Sequence, residues 1–288
     1  MTTIAAAAPA HVTAAGSVGL PSGRAILLTL TRRRLALSAH TPREVLAPLA
    51  TPLLFALVIA PALAKMIPTV GPGRVDYRSF VILGTVGLLI PLTCTFAGIG
   101  VIVDRTTGAR RELLAAPIAR STIVAGNLAV ALVTSVLQMT VLIIAGIARG
   151  AHFHASGTGL LWFIAGSITF TTFAYATAEV LANRIPTQEE YIGLTPVVAI
   201  VPWFLAGSLF RITAMPVGLA AMSRVLPTTH VLALIRYGLL DRHATALHDI
   251  WGVSGNSTAA ALSLVVLLAW AVLVSVVALR VFRRSAVV

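Results

Sequence analysis

Charge, cysteine and lysine are all scarce in this chain. Only 10% of its 288 residues are charged, against about 25% in a soluble domain. So few charges cannot cover a water-facing surface, which excludes a soluble globular protein. The single cysteine, Cys94, lies inside an apolar run. It can form no disulfide within the chain and no cysteine-based metal site, and it reads as a small buried residue. The single lysine, Lys65, sits in Leu63-Ala64-Lys65-Met66-Ile67-Pro68. A nucleotide-binding loop instead needs G-x-x-x-x-G-K-[ST], so that backbone N–H groups cradle phosphate and the lysine reaches it. Paired carboxylates, a nucleophile elbow and an H-E-x-x-H pattern are also missing, so catalysis by this chain is not expected. His152 and His154 have no carboxylate or cysteine close in sequence. No metal or other cofactor is expected in the chain.

What is abundant is apolar. Hydrophobic residues make up 58% of the chain and its mean hydropathy is +0.95. A bilayer span needs about 20 mostly apolar residues. Six segments qualify: Val45–Ala64, Phe80–Val103, Ile123–Ala148, Gly159–Ala182, Ile192–Phe210 and Ala259–Val281. The net charge of +12 does not imply nucleic acid, because the arginines flank apolar runs instead of gathering on a polar domain with aromatic platforms. With six spans, 13 basic residues fall on the side of the termini and 8 on the other. The positive-inside bias therefore places both termini in the cytoplasm. Residues 1–22 lack a basic n-region and a long apolar core, so they read as a loosely ordered tail and not as a cleaved signal peptide. Residues 23–284 read as one transmembrane domain.

Two connections stand out. Between the second and third spans runs Asp104-Arg105-Thr106-Thr107-Gly108-Ala109-Arg110-Arg111-Glu112-Leu113-Leu114-Ala115-Ala116-Pro117-Ile118-Ala119-Arg120. Gly108 can break the incoming helix, Glu112–Ala116 can form a short one, and Pro117 can start the next turn. Charge alone fits a solvated cytoplasmic loop equally well. Between the fifth and sixth spans, Arg211–Ser257 is too polar for a full span and too apolar for a solvated loop. Met215–Leu226 and Thr229–Leu240 read as two short helices broken at Pro227. Such half-helices survive at membrane depth only under a cover of protein or around a watery cavity.

The first connection resembles the coupling segment of ABC-2 type permeases, which carries Gly and then Leu-Leu-x-x-Pro-Ile-x-Arg. Downstream, Leu205-Ala206-Gly207-Ser208-Leu209-Phe210, Met215-Pro216, Leu226-Pro227-Thr228-Thr229-His230 and Ile235-Arg236 resemble the end of the fifth span and the re-entrant hairpin of the same family. Order and spacing are kept over about residues 24–284, and within the family the chain resembles the daunorubicin-resistance-type exporter permeases. The family often has acids two before and three after the coupling glycine. Here Thr106 and Arg111 stand there, which makes the segment unusually basic.

The resemblance implies an all-α membrane protein of the type V ABC exporter kind. It would have six transmembrane helices, an interfacial helix over Arg24–Arg43, and a re-entrant hairpin between helices five and six carrying Pro216, Pro227, His230 and Arg236. Asp104, Arg105, Gly108, Arg111, Glu112, Leu113, Leu114 and Pro117 would couple to a separate cytoplasmic ATPase, which binds ATP and Mg. A second permease copy or a paralogue would complete the membrane unit in the plasma membrane. Spans two and five would line the path, with Thr93, Phe96, Thr195 and Phe204 as candidate substrate contacts; ordinary helix packing explains each of these as well. The function implied is export of an amphipathic drug-like or lipid substrate, as in multidrug or antibiotic resistance. Two other classes remain: an ion-gradient-driven secondary transporter and an intramembrane lipid-modifying enzyme. Span four adds a polar stripe at four-residue spacing, Ser167, Thr171, Tyr175 and Glu179. It reads either as a seam between helices or, for Glu179, as a hydrated boundary residue.

Overall fold

The computed structural model describes residues 23–40, 42–67, 69–70, 75–115, 118–240 and 243–285; the expected tail at 1–22 lies outside them. Helix α1 (Gly23–His40) leads into α2 (Pro42–Leu54), a π-helical turn (Phe55–Ile59) and α3 (Ala60–Ala64). Pro48 and Pro52 lie inside α2. Each removes a helix donor, and the widened turn follows them. Strands β1 (Thr69–Val70) and β2 (Val75–Asp76) pair antiparallel, Thr69 opposite Asp76. The Asp76 carboxylate then caps α4 (Tyr77–Thr106), accepting from Ser79 N at 2.9 Å. After α4 come α5 (Ala109–Ala115), α6 (Arg120–Ala148) and α7 (Gly157–Arg184). Beyond them lie α8 (Gln188–Thr195), a second π-helical turn (Pro196–Ile200) and α9 (Val201–Leu205). The chain continues through α10 (Val217–Ser223), α11 (Pro227–Leu239), α12 (Thr245–Trp251) and α13 (Asn256–Ser285).

Among the described residues, five helical runs are long and apolar enough to cross a bilayer: Leu46–Ala64, Tyr77–Thr106, Arg120–Ala148, Gly157–Arg184 and Asn256–Arg284. The number rises to six if α10 and α11, bent by 78° at their break, count as one. The chain is thus an all-α, multi-pass membrane protein. The segment expected as a fifth span, Ile192–Phe210, departs from expectation. Its helix starts earlier, at Gln188, and stops at Leu205, short of the expected end. Glu189 and Glu190 occupy its first turn. Pro196 and Pro202 withdraw donors along it, and the chain turns at Gly207, where φ is +74°. The helix break expected at Pro227 is present, with Pro227 at the first position of α11.

Helix α4 is the axis of the bundle. Of its most apolar stretch 78% is buried, against 22% for α13. It packs against α7, α6, α2 and α11. The outer helices instead expose Leu137, Ile144, Leu161, Val265 and Val272, as lipid-facing surfaces do. Several threonine hydroxyls within the bundle are satisfied locally. Thr85, Thr95, Thr169 and Thr171 each donate to a carbonyl one turn back, at 2.7–2.8 Å. In hydrocarbon no water would do so.

Arg236 lies inside this core and not among the outward loop charges with which the topology count grouped it. It is 4% exposed. Its Nη1 donates to Gly207 O at 2.9 Å and its Nη2 to Ser208 O at 2.8 Å and Phe80 O at 3.3 Å. The guanidinium also lies 3.5 Å from the Phe80 ring centroid. One side chain of α11 thereby binds the turn after α9 to α4. The backbones come so close here that a Cβ on Gly84 would lie 2.3 Å from Ser208 O. Gly84 O in turn accepts from Trp203 Nε1 at 2.8 Å.

The bundle has two distinct ends. Arg34 pairs with Asp104 at 3.2 Å, and Arg120 donates to Arg283 O at 3.3 Å, so α1, α4, α6 and α13 meet at one end. At the other, Arg211 forms a two-point pair with Asp249, and Tyr77 donates to Leu209 O at 3.0 Å.

Replacing Arg236 by Met keeps the volume and strands three carbonyls. We expect the variant to lose roughly 2–5 kcal/mol of stability, read as a lowered unfolding midpoint in detergent. Arg236→Lys should lose less, and a midpoint unchanged in both would disprove the clasp.

Candidate functional site

The charged connection after α4 folds as a hinge and a short helix. Asp104 is held by Arg34. Arg105 caps the end of α7, its Nη1 donating to Ala182 O at 3.2 Å and its Nη2 to Ile185 O at 2.7 Å and Pro186 O at 2.8 Å. Gly108 then takes φ +82°, a left-handed conformation that glycine adopts without cost. On α5, Arg111 and Glu112 are exposed while Leu113 and Leu114 are half-buried. Pro117 lies outside the described residues. These side chains therefore share one end of the bundle, but Asp104 and Arg105 face inward whereas Arg111 and Glu112 face out.

The residue that composition did not single out is Arg110. It is 8% exposed and is the buried position of α5. Its Nη1 donates to Asn183 Oδ1 at 2.8 Å, and its guanidinium lies 4.6 Å from the Phe282 ring centroid of α13. Burial pulls its pKa down, Glu179 pushes it back up, and Arg105 pulls it down further; a guanidinium stays charged under all three. Asn183 Nδ2 donates to Glu179 O at 2.8 Å and to its Oε1 at 2.9 Å. Tyr175 donates to Glu179 Oε2 at 2.7 Å. Glu179 is 1% exposed, so it is a buried seam residue and not a hydrated boundary one. Asn183 continues the stripe of Ser167, Thr171, Tyr175 and Glu179 by one more step of four, and that periodicity was the signal for it.

None of the four residues considered for substrate contact lies on the wall of the bundle's large cavity. Thr93 is buried and hydrogen-bonds Leu89 O at 2.9 Å and the Gln138 side chain of α6. Phe96 and Thr195 are half-buried. Phe204 is exposed, edge-on to Trp203 at 4.7 Å. The cavity, of about 560 Å³, opens elsewhere, between α4, α7, the α8–α9 run, the α10–α11 break and α13. Its wall includes Pro91, Phe173, Thr177, Pro202, Pro227 and Trp270. The Thr177 hydroxyl is spent on Phe173 O at 2.9 Å, so the wall is almost wholly apolar. The volume falls within the range of about 300–1,000 Å³ usual for small-molecule sites. Of the hairpin residues, Pro216 is exposed at the start of α10, and His230 is buried with Nε2 2.9 Å from Arg224 O.

Comparison with known proteins matches residues 26–240, from the first turn of α1 to the end of α11, to the family described as ABC-2 type transporter. Nodulation protein J of Sinorhizobium fredii (strain NBRC 101917 / NGR234) is 28% identical over 184 residues, covering 61% of this chain and 69% of that protein. Nodulation protein J of Rhizobium leguminosarum bv. viciae is 26% identical over 235 residues, 79% of this chain and 87% of its own. Nodulation protein J of Neorhizobium galegae is 25% identical over 225 residues, 77% and 84% of the two chains. The match takes in the first four candidate spans, the hinge at Gly108 and the bent α10–α11 pair, and the chain belongs to the ABC-2 type transporter family.

Proposed function

We infer that the chain is the membrane subunit of an ATP-driven exporter of the daunorubicin-resistance type. ATP and Mg would be bound by a separate cytoplasmic ATPase. The observation that carries this reading is the family match running through a charged hinge-and-helix connection at the end of the bundle where α1, α7 and α13 converge. On this reading Asp104, Arg105, Gly108, Arg111, Glu112, Leu113, Leu114 and Pro117 form the coupling element. Its exposed Arg111 suits an acidic docking groove. Helix α1, with Arg32 and Arg33 exposed, lies along the inner leaflet, where anionic headgroups attract arginine. The α10–α11 pair is the re-entrant hairpin. A second copy or a paralogue completes the path, in the plasma membrane, with both termini cytoplasmic.

The substrate is amphipathic, a drug-like molecule or a lipid. The almost wholly apolar cavity beside the hairpin break supports this and suits the apolar part of such a molecule better than an ion. Thr93, Phe96, Thr195 and Phe204 remain contacts to test in the assembled pair, with Thr93 the weakest because its hydroxyl is engaged within the chain.

Two outcomes follow from this reading. Aspartate at both Leu113 and Leu114 should abolish co-purification of the ATPase, weakening it by roughly 3 kcal/mol or a hundredfold, while membrane abundance stays normal. Retained co-purification and full export would return the segment to a solvated loop. In a Cys94→Ser background, an impermeant thiol reagent added outside should label Ser254→Cys and miss Thr107→Cys, both positions being exposed. The reverse pattern would invert the topology.

A further inference from the structure

We propose that Arg110 is the positioning residue through which movement of the coupling helix enters the bundle, and that it enters at α7 and α13 instead of at α4 and α6, the helices that α5 joins in sequence. The inference rests on the reading of α5 as the docking element.

The argument starts at Gly108. Its φ of +82° and the open space around it, with nothing within 4 Å of where a Cβ would sit, leave α5 attached to α4 by a compliant joint. On either side of that joint an arginine grips the same helix end. Arg105, before the joint, holds the last carbonyls of α7 and moves with α4. Arg110, after it, holds Asn183 and moves with α5. A rotation of α5 about Gly108 therefore changes the Arg110 contacts and leaves those of Arg105 in place.

From Arg110 the connection runs inward through groups that each have defined partners. Asn183 accepts on its oxygen and donates on its nitrogen, so the amide ties Arg110 to the Glu179 carboxylate one turn deeper. Glu179 accepts in turn from Tyr175, another turn along α7. The Phe282 ring under the guanidinium adds the cytoplasmic end of α13. Charge-assisted hydrogen bonds buried in this way are strong and directional, so α5 cannot turn without pulling on α7 or breaking one. Arg111, Glu112 and Ala115 are exposed on α5, leaving them free to meet a partner while Arg110 faces in.

Two arms test this. In the purified chain without its ATPase, in a Cys94→Ser background, spin labels at Ala115→Cys and Arg184→Cys should give a narrow distance distribution. Arg110→Gln and Asn183→Ala should each broaden it, and Arg110→Lys should largely restore it. In proteoliposomes of the permease with its co-purified ATPase, Arg110→Gln and Asn183→Ala should each keep ATP hydrolysis and ATPase association. Movement of a fluorescent short-chain phospholipid per ATP should fall about tenfold, the worth of one charge-assisted hydrogen bond. The double variant should be no worse than either single one. An unchanged distance distribution, parallel loss of transport and hydrolysis, or multiplied effects in the double variant would overturn the proposal. If the wild-type chain captures no ATPase, the docking reading fails, and the distance arm still decides whether Arg110 anchors α5.

Discussion

A buried guanidinium holds one end of this bundle together. Arg236 answers the backbone carbonyls of Gly207, Ser208 and Phe80, which belong to two different parts of the chain. In a medium without water such carbonyls need a protein donor, and Arg236 supplies one to each from a third element. The close passage at Gly84 and the Trp203 hydrogen bond to Gly84 O both depend on that turn being drawn onto α4. The bend between α10 and α11 precedes Arg236, which lies in the last turn of α11, facing into the protein.

The same economy governs the opposite end, with a different composition. There charges of both signs take part, half-buried or buried. Arg34 meets Asp104, and Arg110 reaches Glu179 by way of Asn183. At the Arg236 end the most buried cation is met by carbonyl dipoles around a fixed turn, beside the Arg211–Asp249 pair. At the Gly108 end Arg105 is held on carbonyls, while Arg34 and Arg110 are met by side chains next to a glycine joint. A cluster of rotatable partners beside a compliant joint can exchange contacts, whereas a guanidinium locked on three carbonyls and an aromatic face cannot. The bundle thus carries its rigid seam and its adjustable seam at opposite ends of α4.

Much of this was legible in the residues. The lengths of the apolar runs revealed four of the spans and the last helix, because a bilayer imposes a minimum length that composition alone can report. The break at Pro227 and the joint at Gly108 were readable because proline and glycine act through the backbone, wherever they sit. Ile192–Phe210 was legible only in its bounds' rough position: hydropathy counts its apolar side chains and does not show that the helix starts back at Gln188, with Glu189 and Glu190 in its first turn, and ends at Leu205. The inward position of Arg236 could not be read, since an arginine in a partly polar stretch looks the same whether water or carbonyls surround it. Arg110 was hidden among four arginines between residues 105 and 120, and only packing distinguishes it. The polar stripe of α7 was visible as a period, but that its lower end binds the connection after α4 is a long-range fact.

The burial of α4 has a consequence for how the protein is made. Its principal partners are α7 and α6, α11 packs on it later in the chain, and the residue that closes the core around it is Arg236. Tyr77 leaves the ribosome 159 residues before Arg236, as their numbers show. At ordinary rates of synthesis that interval is roughly 8–30 s. Throughout it the most enclosed helix of the finished protein sits in the membrane with one flank still facing lipid. The helices made in that window cover α4 one at a time. The strongly polar side chain arrives last, when the carbonyls that receive it are already in place. An order of synthesis that delivered Arg236 first would leave a bare cation in hydrocarbon, and the chain as written avoids that state.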